Sequence, residues 1–309
     1  MGDTLRRYRS LLADSQRWEG FEFRDGDIVI STPSKCGTTW MQMICALLVF
    51  QDPELSGPLT KLSPWMDVQT DTIDNVRAAL DAQTHRRFIK THTPFDGLPH
   101  DERVTYISVG RDLRDAGLSW DNHFRNMNLE VVLNARVEAV GMDDIAELIP
   151  DALPDPSSEL IERFWHWVDH DGRQSEGFSG LKAALHHLST FWEHRDDDNV
   201  ALFHYADLKA DLEREMRRLA SILNIQVPEE KWPRLVTAAT FDRMRDRAEQ
   251  LAPQVSVDGF WNDSARFFNE GSSGQWRSLL NDDDVARYEA RARSLAPPDL
   301  IDWVHAPKH

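Results

Sequence analysis

The sequence has little of three things: cysteine, long apolar runs and positive charge. Its two cysteines, Cys36 and Cys45, are too few for a disulfide framework and have no nearby Cys or His at zinc-finger spacing. No apolar run reaches the roughly 18 residues that a bilayer span needs, and residues 1–20 are charged throughout, unlike a secretion signal. We therefore expect a cytoplasmic protein without a metal site and without a stable membrane association.

The scarcity of positive charge bears on possible partners. The chain has 35 Lys and Arg against 52 Asp and Glu, a formal net charge of −17. Because general nucleic-acid binding needs a broad basic surface, this balance argues against a nucleic-acid partner. A polyanionic small molecule can still bind in a local basic pocket. With 309 residues, of which 41% are apolar, we expect one large domain over 1–309.

A strand, a loop and a helix are predicted in direct succession near the start of the chain. Residues 27–31 form an apolar strand pattern, 32–37 contain Pro and Gly as a turn does, and 38–50 carry a helical apolar pattern. Such a junction presents unpaired backbone N–H groups and the positive end of a helix dipole, which favour phosphate. Lys35 and two threonine hydroxyls add donors, so the loop is a predicted anion site. A purely structural turn is the alternative.

The order of residues in this loop separates two kinds of phosphate-binding loop. Lys35 precedes Gly37, whereas the Lys of a nucleoside-triphosphate P-loop directly follows the second Gly. Lys-Cys-Gly-Thr-Thr-Trp resembles instead the 5′-phosphosulfate loop of sulfotransferases that use 3′-phosphoadenosine 5′-phosphosulfate (PAPS), usually Pro-Lys-Ser-Gly-Thr-Thr-Trp. In that family the loop binds the cofactor, and Trp40 would stack on adenine. The implied cofactor-binding residues here are Lys35, Cys36, Gly37, Thr38, Thr39 and Trp40.

A second predicted strand, 87–91, ends in polar residues. In open α/β sheets ligands gather at the carboxyl ends of the strands, so this end is well placed for chemistry. Lys-Thr-His-Thr-Pro at 90–94 resembles the family's Lys-Thr-His-Leu-Pro, whose His is the general base. The resemblance implies that His92 removes the acceptor's proton and that Lys90 supports the transferring group. Judged on its own, a lone His is more often structural.

A third predicted strand, 104–109, is followed by Arg111. The segment that starts there resembles the family's 3′-phosphate motif, Arg-Asn-x-x-Asp-x-x-x-Ser-x-x-x-Phe, which implies that Arg111 and Ser119 hold the 3′-phosphate. The alternative is that Arg111 merely pairs with Asp112 or Asp115. The resemblance implies a catalytic group of His92, Lys35, Lys90 and Ser119.

Three later segments complete the implied cofactor site. A fourth predicted strand, 199–205, ends in a segment similar to the family's Tyr-Glu-Asp-Met-Lys, whose Tyr approaches the adenosine. The helical stretch 232–250 contains Ala-Thr-Phe-x-x-Met, similar to the adenine-contacting Thr-Ser-Phe-x-x-Met. A C-terminal loop resembles Phe-x-Arg-Lys-Gly-x-x-Gly-Asp-Trp but has Asn269 and Glu270 at the Arg-Lys positions, which removes two cations and adds an anion beside a phosphate. The implied cofactor-binding residues in these segments are Tyr205, Thr240, Phe241, Met244, Phe267 and Gly271.

The acceptor is expected to be a small molecule whose identity does not follow from spacing. Ser-Pro-Trp at 63–65 is similar to a segment on the acceptor side of the family's cleft, and further aromatic residues would make the site mainly apolar. Trp and Phe at helical spacing also pack ordinary cores. The family's dimerisation pattern Lys-x-x-x-Thr-Val is missing after Trp276, so the oligomeric state stays open. The candidate acceptor-binding residues are Trp65, Phe95, Phe124 and Trp165.

Alternating strand and helix patterns predict the fold. We expect an α/β protein with a P-loop-like, three-layer α/β/α arrangement around a central, mainly parallel sheet. An N-terminal helix and lead-in are expected at 1–26, a mobile loop or helical lid at 127–178, and a C-terminal helix and tail at 281–309.

Together the motifs predict an enzyme, a PAPS-dependent sulfotransferase of the cytosolic type from a bacterium. It would move a sulfuryl group to a hydroxyl or amine and release adenosine 3′,5′-bisphosphate (PAP). Two alternatives stay open. An ATP-dependent small-molecule kinase would use Asp112 as a magnesium ligand. A non-catalytic nucleotide-binding protein would have kept the fold and lost the Arg-Lys pair.

Overall fold

A computed structural model of the chain describes residues 5–148, 158–172, 180–251, 259–263, 266 and 273–305. Its centre is a parallel sheet with the strand order β2-β1-β3-β4. Residue Ile28 pairs with Phe88 on one side and with Thr105 on the other, and Tyr106 pairs with Val200. The strands are β1 (Ile28–Ser31), β2 (Phe88–Thr91), β3 (Thr105–Gly110) and β4 (Val200–His204).

The sheet is covered on both faces. Every residue of β1 and of β2 is buried, although successive side chains of a strand point to opposite faces. Short, continuously apolar strands are typical of parallel sheets that lie between two layers of helices. The predicted α/β fold with a central parallel sheet is therefore confirmed.

Helices connect and flank the strands. The first of them, α1, directly follows the loop after β1, and β3 is followed in the same way by α4. Within the described residues no helix is both long and apolar enough to cross a membrane. The helices are α1 (Thr38–Phe50), α2 (Leu59–Leu62), α3 (Ile73–Asp81), α4 (Leu113–Asn126), α5 (Leu129–Val140), α6 (Ile145–Leu148), α7 (Leu160–Asp169), α8 (Leu181–Trp192), α9 (Tyr205–Ala210), α10 (Leu212–Ile222), α11 (Trp232–Ala238), α12 (Phe241–Asp246), α13 (Ala248–Leu251), α14 (Asp282–Arg293) and α15 (Pro298–His305).

Two apolar clusters make up the core. The larger one contains the strands, α1 and the helices from α10 onward to α13. The smaller one joins α4, α7 and α8 to the two C-terminal helices. Burial of these side chains supplies the main stabilisation of both parts.

Three sequence-based expectations about helices need correction. No α-helix forms in the described part of the N-terminal segment, where the helical element is a 3₁₀ turn at Ser15–Trp18. The reason is that Tyr8, Ala13 and Trp18 are all buried, although they would not share one face of an α-helix. The stretch 232–250 is broken into α11, α12 and α13 rather than continuous. The C-terminal region holds two helices, not one. In the predicted lid, 127–178, the described residues are largely helical.

The path of the chain brings the polar strand ends together. From β1 it passes to β2 at one side and then crosses to β3 at the other, so β1 lies at a switch in strand order. In open α/β sheets such a switch leaves a crevice beyond the carboxyl ends of the strands, where ligands bind. The three motif-bearing loops all leave the sheet at this edge.

Candidate active site

The loop after β1 is shaped by two residues with left-handed backbone. Lys35 has a φ of 66° and Gly37, the N-cap of α1, a φ of 106°. A Cβ at Gly37 would lie 3.2 Å from the Tyr205 ring, so both the conformation and the contact favour glycine. The first N–H groups of α1 have no acceptor within the helix and face this loop, as an anion site requires.

The loop is tied to its own helix and to the end of β2. The hydroxyls of Thr32 and Thr38 are 2.5 Å apart, and the Thr32 carbonyl oxygen lies 2.8 Å from Nδ1 of His92. The Cys36 side chain, fully buried, points instead into the smaller apolar cluster. Burial raises the pKa of this thiol to about 12, so Cys36 brings a neutral side chain where the family usually has Ser.

Arg111, from the end of β3, joins the loop to the predicted adenosine side. One guanidinium nitrogen donates to the Lys35 carbonyl at 2.9 Å, and the guanidinium lies 4.6 Å from the centre of the Tyr205 ring. Trp40 meets the same ring edge to face at 5.1 Å. Its indole N–H donates to the carbonyl of Ala239 at 2.8 Å. Lys35, Arg111, Tyr205 and Trp40 are thus brought together.

Lys90 and His92, at the end of β2, lie against Trp65. The Lys90 ammonium is 4.0 Å from the centre of the Trp65 ring, and the His92 ring meets Trp65 edge to face at 5.2 Å. Trp65 reaches this position because its segment pairs with β2: the Lys90 N–H donates to the Pro64 carbonyl at 2.9 Å. The structure therefore places Trp65 beside the predicted general base.

Burial and neighbouring positive charges lower the pKa values of the basic groups in the site. Burial first, and then the charges of Arg111 and Lys90, lower the pKa of Lys35 to about 7. Burial lowers the pKa of Lys90 to about 8, against the opposing effect of Asp67. Burial and the charge of Lys90 lower the pKa of His92 to about 3. A polyanion between these groups would reverse the effect on the lysines, because opposite charge favours the ammonium form.

His123 is a site residue that the sequence reasoning missed. Its Nδ1 lies 3.2 Å from the Lys35 ammonium, and its ring packs 4.7 Å from that of Trp261. The final Phe of the 3′-phosphate motif falls at position 123, so Phe124 lies one residue beyond the motif. The sequence contained this information, because a residue four positions after Ser119 on a helix lies on the same face as Ser119.

The remaining predicted cofactor residues are less closely connected to this cluster. Ser119 lies in α4 and is partly buried. Thr240 stands at the N-cap position of α12 with its hydroxyl donating to the Thr237 carbonyl, and Phe241 packs partly buried on the larger apolar cluster. Met244 is 2% exposed and belongs to that cluster. Phe267, Asn269, Glu270 and Gly271 lie outside the described residues.

The four candidate acceptor residues have different surroundings. Trp65 is at the site. Phe95 is buried and stacks 4.2 Å from His100 in an aromatic cluster, and Trp165 packs beneath the Arg287 guanidinium at 3.7 Å, on the smaller apolar cluster. Phe124 lies partly buried in the last turn of α4. Trp65 thus contacts His92 directly, whereas Phe95 and Trp165 pack in other clusters.

Asp112 has structural partners. One carboxylate oxygen accepts the Arg114 N–H that begins α4, and the other accepts from the Arg114 guanidinium at 2.7 Å and from the Trp276 indole at 3.1 Å. Asp115 accepts the Gly274 N–H at 2.6 Å. These bonds fix the segment after the C-terminal loop onto α4. No group of three or more His, Cys, Asp or Glu positioned to hold a metal occurs in the described ranges.

Comparison with known proteins identifies the family of this chain. The chain matches the family described as Sulfotransferase domain over residues 25–296. A glycolipid sulfotransferase of Mycobacterium bovis (strain BCG / Pasteur 1173P2) is 45% identical over 312 residues, covering 96% of this chain and 93% of the relative. Rat sulfotransferase 1A1 is 25% identical, with 89% of this chain and 86% of the relative covered.

Solved structures agree on the fold. Mouse sulfotransferase SULT7A1 complexed with PAP aligns with a TM-score of 0.68 at 17% identity, covering 96% of this chain and 94% of that chain. A retinol dehydratase in complex with androsterone and PAP aligns with a TM-score of 0.66 at 16% identity, covering 93% and 87%. The matches confirm the family predicted from the motifs: the chain belongs to the sulfotransferase family and is an enzyme of that class.

Proposed function

We propose that the protein moves the sulfuryl group of PAPS to a hydroxyl of a lipid-linked carbohydrate or similar small acceptor, with His92 as the general base. The observation that carries this proposal is the hydrogen bond of the His92 ring to the Thr32 carbonyl, 2.8 Å long. Relatives named glycolipid sulfotransferases, at 45% identity, support the class of acceptor.

The bond to Thr32 determines which nitrogen can act as a base. A carbonyl oxygen only accepts, so Nδ1 must carry the ring proton. Because the pKa of His92 is lowered to about 3, the ring is neutral at physiological pH and Nε2 holds an unprotonated lone pair. This is the state in which a histidine can take a proton from an attacking hydroxyl.

The cations supply the charge stabilisation. PAPS contributes the sulfuryl group and a leaving phosphate. Lys35 and Lys90 lie where they can neutralise negative charge that develops as the sulfur–oxygen bond breaks. Arg111, 8% exposed and stacked on Tyr205, suits the 3′-phosphate, while the N-terminus of α1 suits the 5′-phosphate. The residues present therefore fit a 3′-phosphorylated adenosine nucleotide.

Trp65 forms the acceptor side of the site. Its ring lies beside both His92 and Lys90, so an acceptor hydroxyl at the base would approach along an aromatic surface. Aromatic faces pack well on the apolar side of sugars and on lipid chains. The cytoplasmic location and the lack of a stable membrane association stay predictions, and the oligomeric state stays open.

The two alternative functions have less support. The kinase needs Asp112 as a magnesium ligand, yet both oxygens of this carboxylate already accept hydrogen bonds from Arg114 and Trp276. A non-catalytic role depends on the loss of cations at Asn269 and Glu270. The neutral, oriented His92 beside two lysines favours catalysis instead.

The test is transfer of radiolabelled sulfuryl from PAPS to a panel of glycolipids, sterols and phenols. The His92→Ala variant should lose roughly 10²- to 10⁴-fold in turnover, with PAP affinity unchanged, because only the proton transfer is removed. His166→Ala, on the partly exposed face of α7, is the matched control. Turnover by His92→Ala at the rate of the control would disprove the assignment of the base.

A further inference from the structure

Asp67 is a buried carboxylate that the catalytic proposal does not use. Its residue is 0% exposed and follows the Pro64–Met66 segment, which lies along the edge of β2: the Met66 N–H donates to the Lys90 carbonyl at 3.1 Å. A carboxyl group buried in this way is costly unless it is hydrogen-bonded. The hydrogen-bond partners of Asp67 therefore indicate which part of the structure it stabilises.

The partners are the two residues on either side of His92. The hydroxyls of Thr91 and Thr93 both donate to the same oxygen of Asp67, Oδ2, at 2.5 Å each. The Trp18 indole N–H reaches this oxygen at 3.4 Å. Burial raises the pKa of Asp67, and the bonds from Thr91 and Thr93 oppose that shift, so the carboxyl group and the two hydroxyls hold one another in place.

Thr93 is fixed at its other polar atoms as well. Its N–H donates to the Thr91 hydroxyl oxygen at 2.9 Å, and its carbonyl accepts from the Ser31 hydroxyl at 2.5 Å. Since Ser31 has one proton and gives it to Thr93, the Nε2 of His187, 2.8 Å away, must donate to Ser31. The backbone on both sides of His92 is thus held by side chains.

We propose that Asp67 is a positioning residue for His92: by binding the Thr91 and Thr93 hydroxyls through one oxygen, it fixes the backbone that aims the His92 ring at the acceptor. Asp67 touches no reacting atom and acts only through its neighbours. The inference rests on the proposed role of His92. Misplacing a catalytic group by about 1 Å can lower a rate by on the order of 100-fold.

The chain offers a variant that separates hydrogen bonding from charge. All three donors bind Oδ2, while Oδ1 has no hydrogen-bond partner among the described residues. An asparagine can therefore place its carbonyl oxygen at the Oδ2 position and keep these three bonds. Thr70, in the same segment, has a buried hydroxyl without a partner in the described part of the chain, so Thr70→Val is a matched control.

The experiment measures kcat, KM for PAPS and PAP affinity of Asp67→Ala, Asp67→Asn and Thr70→Val, with rates expressed per PAP-binding site. We expect kcat of Asp67→Ala to fall at least about tenfold with PAP affinity unchanged. Asp67→Asn should recover most of kcat, and Thr70→Val should match the wild type. A merely structural role would reduce the number of binding sites and leave the rate per site intact.

Two results would overturn the proposal: a normal rate per site in Asp67→Ala, or a rate in Asp67→Asn as low as in Asp67→Ala. If Asp67→Ala does not fold, Thr93→Val takes its place, because valine keeps the shape and removes one donor to Asp67 while the Thr91 oxygen still accepts the Thr93 N–H. The proposed function is tested separately. An inactive His92→Ala beside a fully active Asp67→Ala would refute the positioning role alone.

Discussion

Binding of PAP near pH 8 should take up protons, because the protein holds two lysines partly uncharged. Burial, with the charges of Arg111 and Lys90, lowers the pKa of Lys35 to about 7, and burial lowers the pKa of Lys90 to about 8. A bisphosphate beside these groups favours the ammonium form and raises both pKa values. Formation of the complex then draws protons from the buffer.

The size of the effect follows from the two pKa values. At pH 8 an amine with a pKa of 7 is roughly one-tenth protonated and one with a pKa of 8 is half protonated, so full protonation in the complex takes up roughly 1.4 protons. At pH 6 both lysines are already charged, and their contribution approaches zero. PAP affinity should accordingly fall as the pH rises from 7 to 9.

The assay is titration calorimetry in two buffers with different ionisation enthalpies. The difference between the two binding enthalpies gives the number of protons taken up. Lys35→Met should remove most of the uptake, whereas Lys182→Met, on the surface near Asp171, should not change it. Equal binding enthalpies in both buffers at pH 8 would contradict this prediction, since the lysines would then not change their protonation on binding.

Three further predictions concern single sites. Gly37→Ala should weaken PAP binding about tenfold in calorimetry, because a Cβ would lie 3.2 Å from the Tyr205 ring at a φ that side chains avoid; unchanged affinity would contradict this. His123→Phe should lower kcat/KM for PAPS up to about tenfold, since it removes the acceptor 3.2 Å from the Lys35 ammonium, and an unaltered value would show that this contact is incidental. The folded pKa of Lys35 lies below its unfolded value, so the unfolded chain binds more protons and this lysine makes the free energy of unfolding rise with pH above about 7. In urea denaturation at pH 7 and 9, Lys35→Met should show a smaller rise than the wild type.

Much of the fold could be predicted because each strand has a recognisable local sequence pattern. The segments that become β1 to β4 are short apolar runs that end in polar or glycine-containing loops, and a parallel sheet then brings their carboxyl ends to one edge. Lys35, His92 and Arg111 follow directly from that rule. Each stands within a few residues of a strand end, so local pattern and family motif point to the same place.

The contacts that sequence reasoning missed join distant segments. Asp67 meets Thr91 and Thr93 only because the segment before it pairs with the edge of β2, and no local pattern marks that pairing. Trp165 lies in an aromatic stretch that invites a pocket assignment, yet its ring packs under Arg287 of a C-terminal helix. The positions of Asp67 and Trp165 are both determined by tertiary packing, which the local sequence pattern does not show.

The N-terminal segment failed as a helix for a related reason. Its charged pattern allows a surface helix, but Tyr8 and Trp18 bury their rings against the rest of the protein. The Tyr8 hydroxyl donates to Asp96, a residue just after the His92 motif, at 2.7 Å. Burial of large aromatic side chains outweighs the small differences in helix propensity.

We expect the cationic edge of the sheet to bind a 3′-phosphorylated adenosine nucleotide despite Asn269 and Glu270. The most direct measurement is calorimetric binding of PAP and of ATP with Mg²⁺, side by side at low salt. We predict PAP binding with a dissociation constant of about 1 μM or below and much weaker binding of Mg·ATP. Failure of PAP to bind, or binding of Mg·ATP alone, would show that this edge is not a site for a 3′-phosphorylated adenosine nucleotide.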